Sequence, residues 1–337
     1  GGMEPGISLV YNSQAGNGIL GFGWNIAGLS AITRVGQTIY HDGQVKGVDF
    51  TTDDRFALDG NRLIAISGTY GDDECQYYTE SFNGSRITSH DDPSVEGTGY
   101  FIVETKDGDT IEYGNTDDSR IETISSVGSY VISWNINKIT DRNGNYIDFE
   151  YYKSEDHTQH WIKEIRYTGN GDIKPYNSIH FYYTEREDKQ VSYISGTKLQ
   201  NNVLLDRIKV FAGNSLVRKY MMSYYYQPEF IYSHLVKIEE FNSSGQKYNF
   251  TAFEWGIKTE SNTIGSGYDD TKKYVIGDFN GDGYSDYVRF PQEITSDDRT
   301  VEMCENNKSW GFIPNSDYTF DFPATYETVG LANLPDI

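Results

Sequence analysis

The chain has 337 residues, of which 34 are glycine and 15% are aromatic, and its 50 acidic and 28 basic residues give a net charge of −22. This length is enough for two domains of ordinary size, and the aromatic and glycine content favours β structure over helix. So strong a negative charge repels phosphate backbones, which argues against nucleic acid as a partner.

No apolar run is long enough to span a membrane, and no export signal is visible. Two cysteines, Cys75 and Cys304, are too few for a disulfide framework, and whether they pair stays open. We expect both ends of the sequence to be cut from a longer polypeptide.

The first thirty residues are dense in glycine, and Leu20, Phe22 and Trp24 alternate with the glycines. Such spacing predicts close backbone approach and bulges, with the large side chains filling the gaps. A phosphate-binding loop is disfavoured, because the chain has no G-x-x-x-x-G-K-[ST] motif and no strand-loop-helix frame here.

Two-residue turn signals recur between strand-like runs and predict β-hairpins, since both residues of each pair tolerate positive φ. No long amphipathic helix is evident, although residues 53–58 could hold a short one. The turn signals are Asp42-Gly43, Asp59-Gly60, Asn83-Gly84, Asp107-Gly108, Asn143-Gly144 and Asn170-Gly171.

A loose repeat of an entry strand, a turn and an aromatic exit strand begins near residue 134. In residues 146–152, Ile147, Phe149 and Tyr151 fall on one face of the predicted strand and Asp148 and Glu150 on the other. Hairpins of this kind bury their faces only by stacking side by side. The sequence therefore predicts an all-β fold of stacked antiparallel hairpins that form a curved β-shell.

The polar, glycine-rich residues 261–270 predict a boundary, with one domain at residues 1–260 and a second at 261–337. One hairpin with its neighbouring strands is about one blade of a β-propeller, so we expect the second domain to be the start of a propeller.

A calcium loop is predicted within this second domain. Oxygen ligands lie at loop positions 1, 3, 5 and 9, a backbone carbonyl at position 7, and glycine at position 6, the spacing that wraps oxygens around Ca²⁺. The predicted ligands are Asp278, Asn280, Asp282, the carbonyl of Tyr284, and Asp286. Arg289 at position 12 and strand-like flanks argue against an EF-hand; a polar turn without an ion is the alternative.

Segments 5–13, 16–24 and 28–34 resemble the opening of the SpvB-type toxin domain, which begins the B components of bacterial insecticidal toxin complexes. Residues 139–145 are similar to Rhs/YD repeats, and residues 220–255 resemble the end of the same domain. The calcium hairpin is similar to the FG-GAP/VCBS-type propeller repeats that follow in the family.

The resemblance implies a non-enzymatic structural module of a secreted or surface toxin or Rhs-like protein of a bacterium, which helps to enclose or present a C-terminal effector. Its implied partners are the remainder of the parent polypeptide, with its propeller and Rhs shell, and other toxin subunits. A small-molecule substrate is not expected.

The residues give little support for an enzyme. His157 and His160 could form a zinc pair, but no further ligand pattern supports it, so a solvated loop is the preferred interpretation. Neither G-x-S-x-G nor H-E-x-x-H occurs. The alternatives are a calcium-dependent adhesion or carbohydrate-binding module and a cryptic hydrolase. Tryptophans that could stack on sugars, although a core role is preferred for each, are Trp134, Trp161, Trp255 and Trp310.

Overall fold

The computed structural model describes residues 3–125, 128–226, 232–255, 272–277, 286–291, 300–307 and 311–321. The chain divides into two units, residues 1–255 and residues 256–337. Nearly all regular structure in the described residues is β-strand, which confirms the all-β prediction. No helix among these residues has the length and apolar character that crossing a membrane requires.

The strands of the first unit fall into two groups. Those up to residue 125 are β1 (Ser8–Tyr11), β2 (Asn17–Gly18), β3 (Gly21–Phe22), β4 (Trp24–Ala27), β5 (Ala31–Val35), β6 (Arg55–Leu58), β7 (Asn61–Ser67), β8 (Gln76–Thr79), β9 (Arg86–Asp91), β10 (Thr98–Glu104), β11 (Thr110–Tyr113) and β12 (Arg120–Ser125). Those beyond it are β13 (Gly128–Thr140), β14 (Asn145–Lys153), β15 (His160–Asn170), β16 (Asn177–Ile194), β17 (Thr197–Ala212), β18 (Ser215–Tyr225), β19 (His234–Phe241) and β20 (Lys247–Ala252).

Two short helical turns interrupt these strands: α1 (Ile39–Asp42) and a 3₁₀ turn at Asp117–Ser119. The short helix that the sequence left open at residues 53–58 does not form, because Arg55–Leu58 is strand β6 and pairs with both β5 and β7. The Asp42-Gly43 signal also marks something other than a hairpin. Gly43, at φ +72°, ends α1, because the left-handed conformation that suits a hairpin turn also suits a helix C-terminus.

The turn signals at Asp59-Gly60 and Asn143-Gly144 lie in hairpins as predicted. Asp59 and Gly60 both have positive φ, +48° and +79°, which matches the twist of the strands they join. Asn143-Gly144 joins β13 to β14, which pair in antiparallel register. The remaining predicted turns, at residues 83–84, 107–108 and 170–171, also fall between antiparallel neighbours.

A closed barrel forms one end of the sixteen-stranded sheet. Strands β5 to β11 pair in chain order, and β13 closes the ring by pairing with β5 through residues 133–135 and with β11 through residues 136–140. The closure makes a barrel of eight strands and leaves no edge on this ring. The sequence did not predict it, since it depends on a pairing between distant strands.

Aromatic side chains fill the barrel. Trp134 is fully buried, donates its indole N–H to the Gly99 carbonyl at 2.9 Å, and meets Phe56 and Phe101 edge-on at 5.3 and 5.0 Å between ring centroids. The guanidinium of Arg34 lies 5.6 Å from the Trp134 ring, and burial lowers the Arg34 pKa. A core role for Trp134 is therefore confirmed.

Beyond the barrel, β14 to β20 extend the sheet from β13 as successive antiparallel neighbours. The loose repeat that begins near residue 134 forms the hairpins β13–β14, β15–β16, β17–β18 and β19–β20, which lie side by side in the sheet, so the prediction of stacked antiparallel hairpins is confirmed. Ile147, Phe149 and Tyr151 are buried on one face of β14. We call this the inner face of the sheet.

A charged junction joins the 3₁₀ turn and β12 to the β14–β15 hairpin. The buried Glu122 carboxylate lies 3.0 Å from Arg120 Nε and 3.5 Å from both Lys153 Nζ and His157 Nδ1. His160 begins β15, lies 2.7 Å from the Asp118 carbonyl oxygen, and stacks on Tyr151 at 4.9 Å between ring centroids. The solvated-loop interpretation is therefore wrong for His160, because its ring packs into this junction.

The second unit contains a four-stranded antiparallel sheet in chain order, with β21 (Lys272–Gly277), β22 (Asp286–Pro291), β23 (Thr300–Asn307) and β24 (Gly311–Asp321). Strands β21 and β22 pair from Lys272–Pro291 to Gly277–Asp286. The predicted strand flanks of the calcium loop are thus confirmed.

We predict that His160 makes the first unit sensitive to mild acid. Burial lowers the His160 pKa to about 4, although the Asp118 carbonyl and carboxylate oppose this shift. As the pH falls, the unfolded chain takes up a proton on His160 at pH ~6.5, whereas the folded chain takes it up only at about pH 4. The free energy of unfolding therefore decreases by about 3 kcal/mol as the pH is lowered from the first value to the second. Urea unfolding measured at several pH values should show this loss, and His160→Gln should remove it.

His180→Gln, on the next strand of the sheet, is the matched control and should keep the acid sensitivity of the unmodified chain. An unchanged pH profile in His160→Gln would assign the loss of stability to other groups.

Candidate functional site

The opening segment, residues 7–28, lies on the inner face at the far end of the sheet from the barrel. Strand β1 pairs with β4, and β2 pairs with β3. Leu205 N–H donates to the Ile19 carbonyl at 2.9 Å, and Phe22 N–H donates to the Ser233 carbonyl at 2.9 Å. The segment is therefore hydrogen-bonded to β17 and to the residue that precedes β19.

Glycine is required where this segment approaches other backbone. A Cβ on Gly18 would lie 2.3 Å from the Trp24 carbonyl oxygen, and one on Gly21, at φ +87°, would lie 2.4 Å from the Ser233 carbonyl oxygen. Leu20 is fully buried and Trp24 is 8% exposed. The predicted close approach, with large side chains filling the gaps, is confirmed.

A bulge in β16 supplies the charged groups that hold the segment. Glu185 pairs with Val203 and Gln190 with Asn201, so residues 186–189 lie opposite Asn202 alone. Within this bulge Arg186 and Asp188 form an ion pair, with 3.0 Å between Arg186 Nε and Asp188 Oδ1. Their side chains are 0% and 3% exposed, so the pair is fully inside the protein.

Asn17 connects the opening segment to both charges. Its side-chain amide donates to Asp188 Oδ2 at 2.7 Å, and its amide oxygen accepts from Arg186 Nη2 at 2.6 Å. Arg186 Nη1 also donates to the Gly18 carbonyl at 3.2 Å. We call Asn17, Arg186, Asp188 and Ser233 the clamp.

Ser233, the residue that precedes β19, completes the clamp. Its backbone N–H donates to Asp188 Oδ2 at 2.7 Å, and its hydroxyl donates to Asp188 Oδ1 at 2.5 Å. Burial raises the Asp188 pKa, but the hydrogen bonds from Arg186, Ser233 and Asn17 outweigh burial and hold the pKa well below its usual range. The clamp thus stabilises the fold above about pH 4, and this contribution declines as the pH falls toward the lowered pKa.

Aromatic rings also tie the opening segment to the last residues of the first unit. Trp24 packs on Phe253 at 4.7 Å and Tyr11 on Trp255 at 5.3 Å between ring centroids. Trp255 donates its indole N–H to the Leu235 carbonyl at 2.8 Å. Trp255 is therefore a packing residue, as preferred from the sequence.

The clamp joins distant parts of the chain, and its charged groups are already occupied by hydrogen bonds, so few of their atoms are free to take part in a reaction. Both Asp188 oxygens accept hydrogen bonds, and three Arg186 nitrogens donate them. A cavity of about 510 Å³ opens beside Asn17. Its lining carries no charged side chain and consists of Asn17, Gln190, Val191, Ser192, Leu199, Gln200 and Asn201.

The predicted calcium ligands Asp278, Asn280, Asp282 and Tyr284 lie outside the described residues. Asp286 is the first residue of β22 and pairs with Gly277, the last residue of β21. The paired strand ends therefore bracket the eight intervening residues, and the calcium loop itself stays a prediction.

The remaining sequence candidates are dispersed. His157 faces Glu122, whereas His160 faces the Asp118 carbonyl, so the structure gives the two rings different partners. Trp161 stacks on Tyr152 at 4.5 Å between ring centroids, and Trp310 lies outside the described residues. Cys75 is buried with a free thiol.

Sequence reasoning missed two groups. His90 Nδ1 lies 3.1 Å from Glu74 and 3.7 Å from Asp73, two exposed carboxylates. The clamp was also missed, because Asn17 and Asp188 are 171 residues apart and belong to no motif. The available signal was Arg186 and Asp188, charges that interrupt an otherwise strand-like run.

Comparisons with known proteins concern the family and the fold of the chain. Residues 1–209 match the family model described as SpvB, Salmonella virulence plasmid 65kDa B protein. No curated protein matches the chain. The structure of the N-terminal domain of effector protein SpvB from Salmonella typhimurium has a TM-score of 0.59 and 15% identity, and the match covers 75% of this chain and 95% of that chain.

Two toxin-complex structures are also similar. The TcdB2-TccC3-Cdc42 crystal structure has a TM-score of 0.63 and 14% identity, covering 89% of this chain and 17% of that chain. The Photorhabdus luminescens Tc holotoxin pore has a TM-score of 0.63 and 14% identity, and the match covers 96% of this chain and 18% of that chain.

The chain thus spans less than a fifth of those two toxin chains, and at these identities the likeness shows the fold alone. The family model, however, covers more than half of the 337 residues. The chain therefore belongs to the family described as SpvB, Salmonella virulence plasmid 65kDa B protein.

Proposed function

We propose that this chain is a non-catalytic structural module of a secreted or surface toxin or Rhs-like protein of a bacterium. In this role its sheet forms part of a wall that helps to enclose or present a C-terminal effector. Its partners are the remainder of a longer polypeptide and other toxin subunits. Similarity to the toxin-complex chains, which are much longer than this one, supports these partners.

The observation that carries the proposal is the continuous sheet of sixteen strands. The barrel closes one end, and the clamp fixes the opening segment to the inner face near the other end. Such a sheet resists local opening, because each strand is hydrogen-bonded to its neighbours and the inner face is packed. Stiffness over a large area is what a wall requires.

We further propose that the second unit is the start of an FG-GAP/VCBS-type propeller with a stabilising Ca²⁺ loop. Its four-stranded antiparallel sheet has the strand number of one blade. The Gly277–Asp286 pair places Asp286 at the mouth of the β21–β22 hairpin, and Asp278 follows Gly277 directly. Three carboxylates, one amide and one carbonyl are the hard oxygen donors that Ca²⁺ prefers.

One observation favours the alternative of an adhesion or carbohydrate-binding module. Tyr152 is 42% exposed and stacks on Trp161, and exposed aromatic rings are suited to sugar binding. A glycan array with the purified chain separates the two proposals. Saturable binding that Trp161→Ala abolishes would support the alternative, whereas no binding is expected of a wall.

Removal of the Asp188 carboxylate should destabilise the first unit strongly. Asp188→Ala leaves Arg186 charged, buried and without its partner, and we expect a loss of about 3 to 5 kcal/mol in the free energy of unfolding. Urea unfolding followed by tryptophan fluorescence measures it. The matched control is Glu185→Ala, in the same strand, whose side chain is 83% exposed. The control should cost under about 1 kcal/mol; equal small losses would show that the clamp does not hold the segment.

The wall itself can be tested in a natural toxin polypeptide that contains this chain and a C-terminal effector. We expect the effector to resist added protease when the chain is intact and to be digested faster in the Asp188→Ala variant, because the wall loosens. Glu185→Ala should leave the protection unchanged. Equal digestion in all three proteins would contradict the enclosing role.

Calcium should raise the melting temperature of the second unit, because an ion that binds only the folded state stabilises it by mass action. We expect EDTA to lower the melting temperature and Asp278→Ala with Asp282→Ala to abolish that effect. Asp172→Ala, in an exposed turn of the first unit, is the control and should keep the EDTA response. An equal melting temperature with and without EDTA would contradict the proposal that a bound ion stabilises the second unit.

A further inference from the structure

Strand β20 is the terminal strand of the long sheet. The order of pairing runs from the barrel through β13 to β19 and ends at β20, and no other described strand pairs with its outer edge. At the barrel end, β11 returns to β13 and removes the edge. The two ends of the sheet therefore differ, and β20 presents unpaired backbone groups.

The hydrogen bonds of β20 identify which backbone groups face outward. Phe253 N–H donates to the Val236 carbonyl at 2.8 Å, on the β19 side. Phe250 N–H instead donates to the side-chain oxygen of Asn249, its own neighbour, at 2.8 Å. Because N–H directions alternate along a strand, the N–H groups of Phe250 and Ala252 point to the outer edge.

The side chains of β20 leave this edge unguarded. All six residues of Lys247–Ala252 are exposed, and Tyr248 and Phe250 are 67% and 56% exposed. Edge strands usually carry charges, proline or bulges that prevent pairing, and here Lys247 is the single charge. Exposed aromatic side chains on an unguarded edge are typical of a surface that binds another chain.

The charge around the edge is opposite in sign to that of the whole chain. Strands β18 to β20 carry four cations, Arg218, Lys219, Lys237 and Lys247, against two carboxylates, Glu239 and Glu240. The complete chain carries −22.

These cations lie over the exposed rings. The guanidinium of Arg218 is 4.8 Å from the Tyr248 ring centroid, and Lys237 and Lys247 Nζ are 5.8 and 5.6 Å from that of Phe250. Lys237 and Lys247 Nζ also lie 2.8 and 3.2 Å from Glu239, and Arg218 lies 3.4 Å from Glu240, so the three strands keep an excess of two positive charges after pairing. The edge therefore combines open backbone groups, aromatic surface and a net positive charge.

We propose that the outer edge of β20 binds an extended acidic segment of a partner polypeptide, which adds to the sheet as a further strand. A backbone hydrogen bond from the Ala252 N–H would supply affinity, and so would one from the Phe250 N–H once it exchanges its bond to the Asn249 side chain for one to the partner. The surrounding cations would select negative charge. A second copy of β20 fits less well, since edge-to-edge pairing brings like charges such as Lys247 together. The proposal rests on the wall function and names the surface through which the wall is extended.

The full chain can be tested with two fluorescein-labelled peptides, one alternating glutamate with valine and one alternating lysine with valine. We expect saturable fluorescence anisotropy with the glutamate peptide and at least about tenfold weaker binding of the lysine peptide. Binding should weaken as salt is added. A glutamate peptide that does not bind, or binds no better than the lysine peptide, would overturn the proposal.

Two variants locate the binding to the edge. Ala252→Pro removes an outward N–H without removing a bond to β19, and should weaken binding by about tenfold or more. Ala252→Val keeps the N–H and should stay within about threefold of the unmodified chain. Far-UV circular dichroism checks that both variants fold. Equal binding by folded Ala252→Pro would place the peptide elsewhere and overturn the proposal.

Light scattering of the chain alone tests the competing occupant. A dimer that Ala252→Pro dissociates would show that β20 binds a second copy, which overturns the proposal. The wall function is tested separately by protease resistance of the effector. Failure of peptide binding with intact effector protection would reject this inference alone.

Discussion

The first unit depends on a buried ion pair, Arg186 with Asp188, whose charges are stabilised by hydrogen bonds from the groups around them. Both side chains are buried, so they have lost nearly all contact with water. A buried ion pair destabilises a protein unless its remaining donors and acceptors also form hydrogen bonds. Asn17 and Ser233, which lie near opposite ends of the unit in sequence, form these hydrogen bonds. The same bonds that satisfy the charges therefore hold the opening segment against β17 and β19, and the aromatic packing around Trp24 and Trp255 depends on that placement.

The barrel and the extended sheet share a single strand. The first half of β13 lies between β12 and β5, and its second half lies between β11 and β14. Shared in this way, β13 makes the barrel continuous with the hairpins that follow, so the sheet has one closed end and one open end. Side-chain contacts at the charged junction add to this connection: Glu122 of β12 pairs with Lys153 of β14, and His160 of β15 contacts the Asp118 carbonyl of the 3₁₀ turn.

Local signals in the sequence predicted the local parts of the structure. Alternation at Ile147, Phe149 and Tyr151 and turns such as Asp59-Gly60 depend on neighbours in the chain, and both predictions are confirmed. Closure of the barrel and assembly of the clamp depend on pairs of residues far apart, and a single sequence does not show which distant residues pair. The Asp42-Gly43 turn and the start of β6 show a further limit. The same dipeptide suits a helix end, and tertiary pairing decides whether residues near 55 become strand.

The distance in sequence between Asn17 and its charged partners has a consequence for biosynthesis. Asp188 is translated 171 residues after Asn17, and Ser233 later still. At ribosomal rates of roughly 5 to 20 residues per second, about 10 to 45 s pass between translation of Asn17 and translation of Ser233, the last residue of the clamp. During that interval Phe22 and Trp24 lack the partners that come late in the unit, Tyr232 and Phe253, so this glycine-rich segment keeps large apolar side chains exposed until the end of the unit has been made.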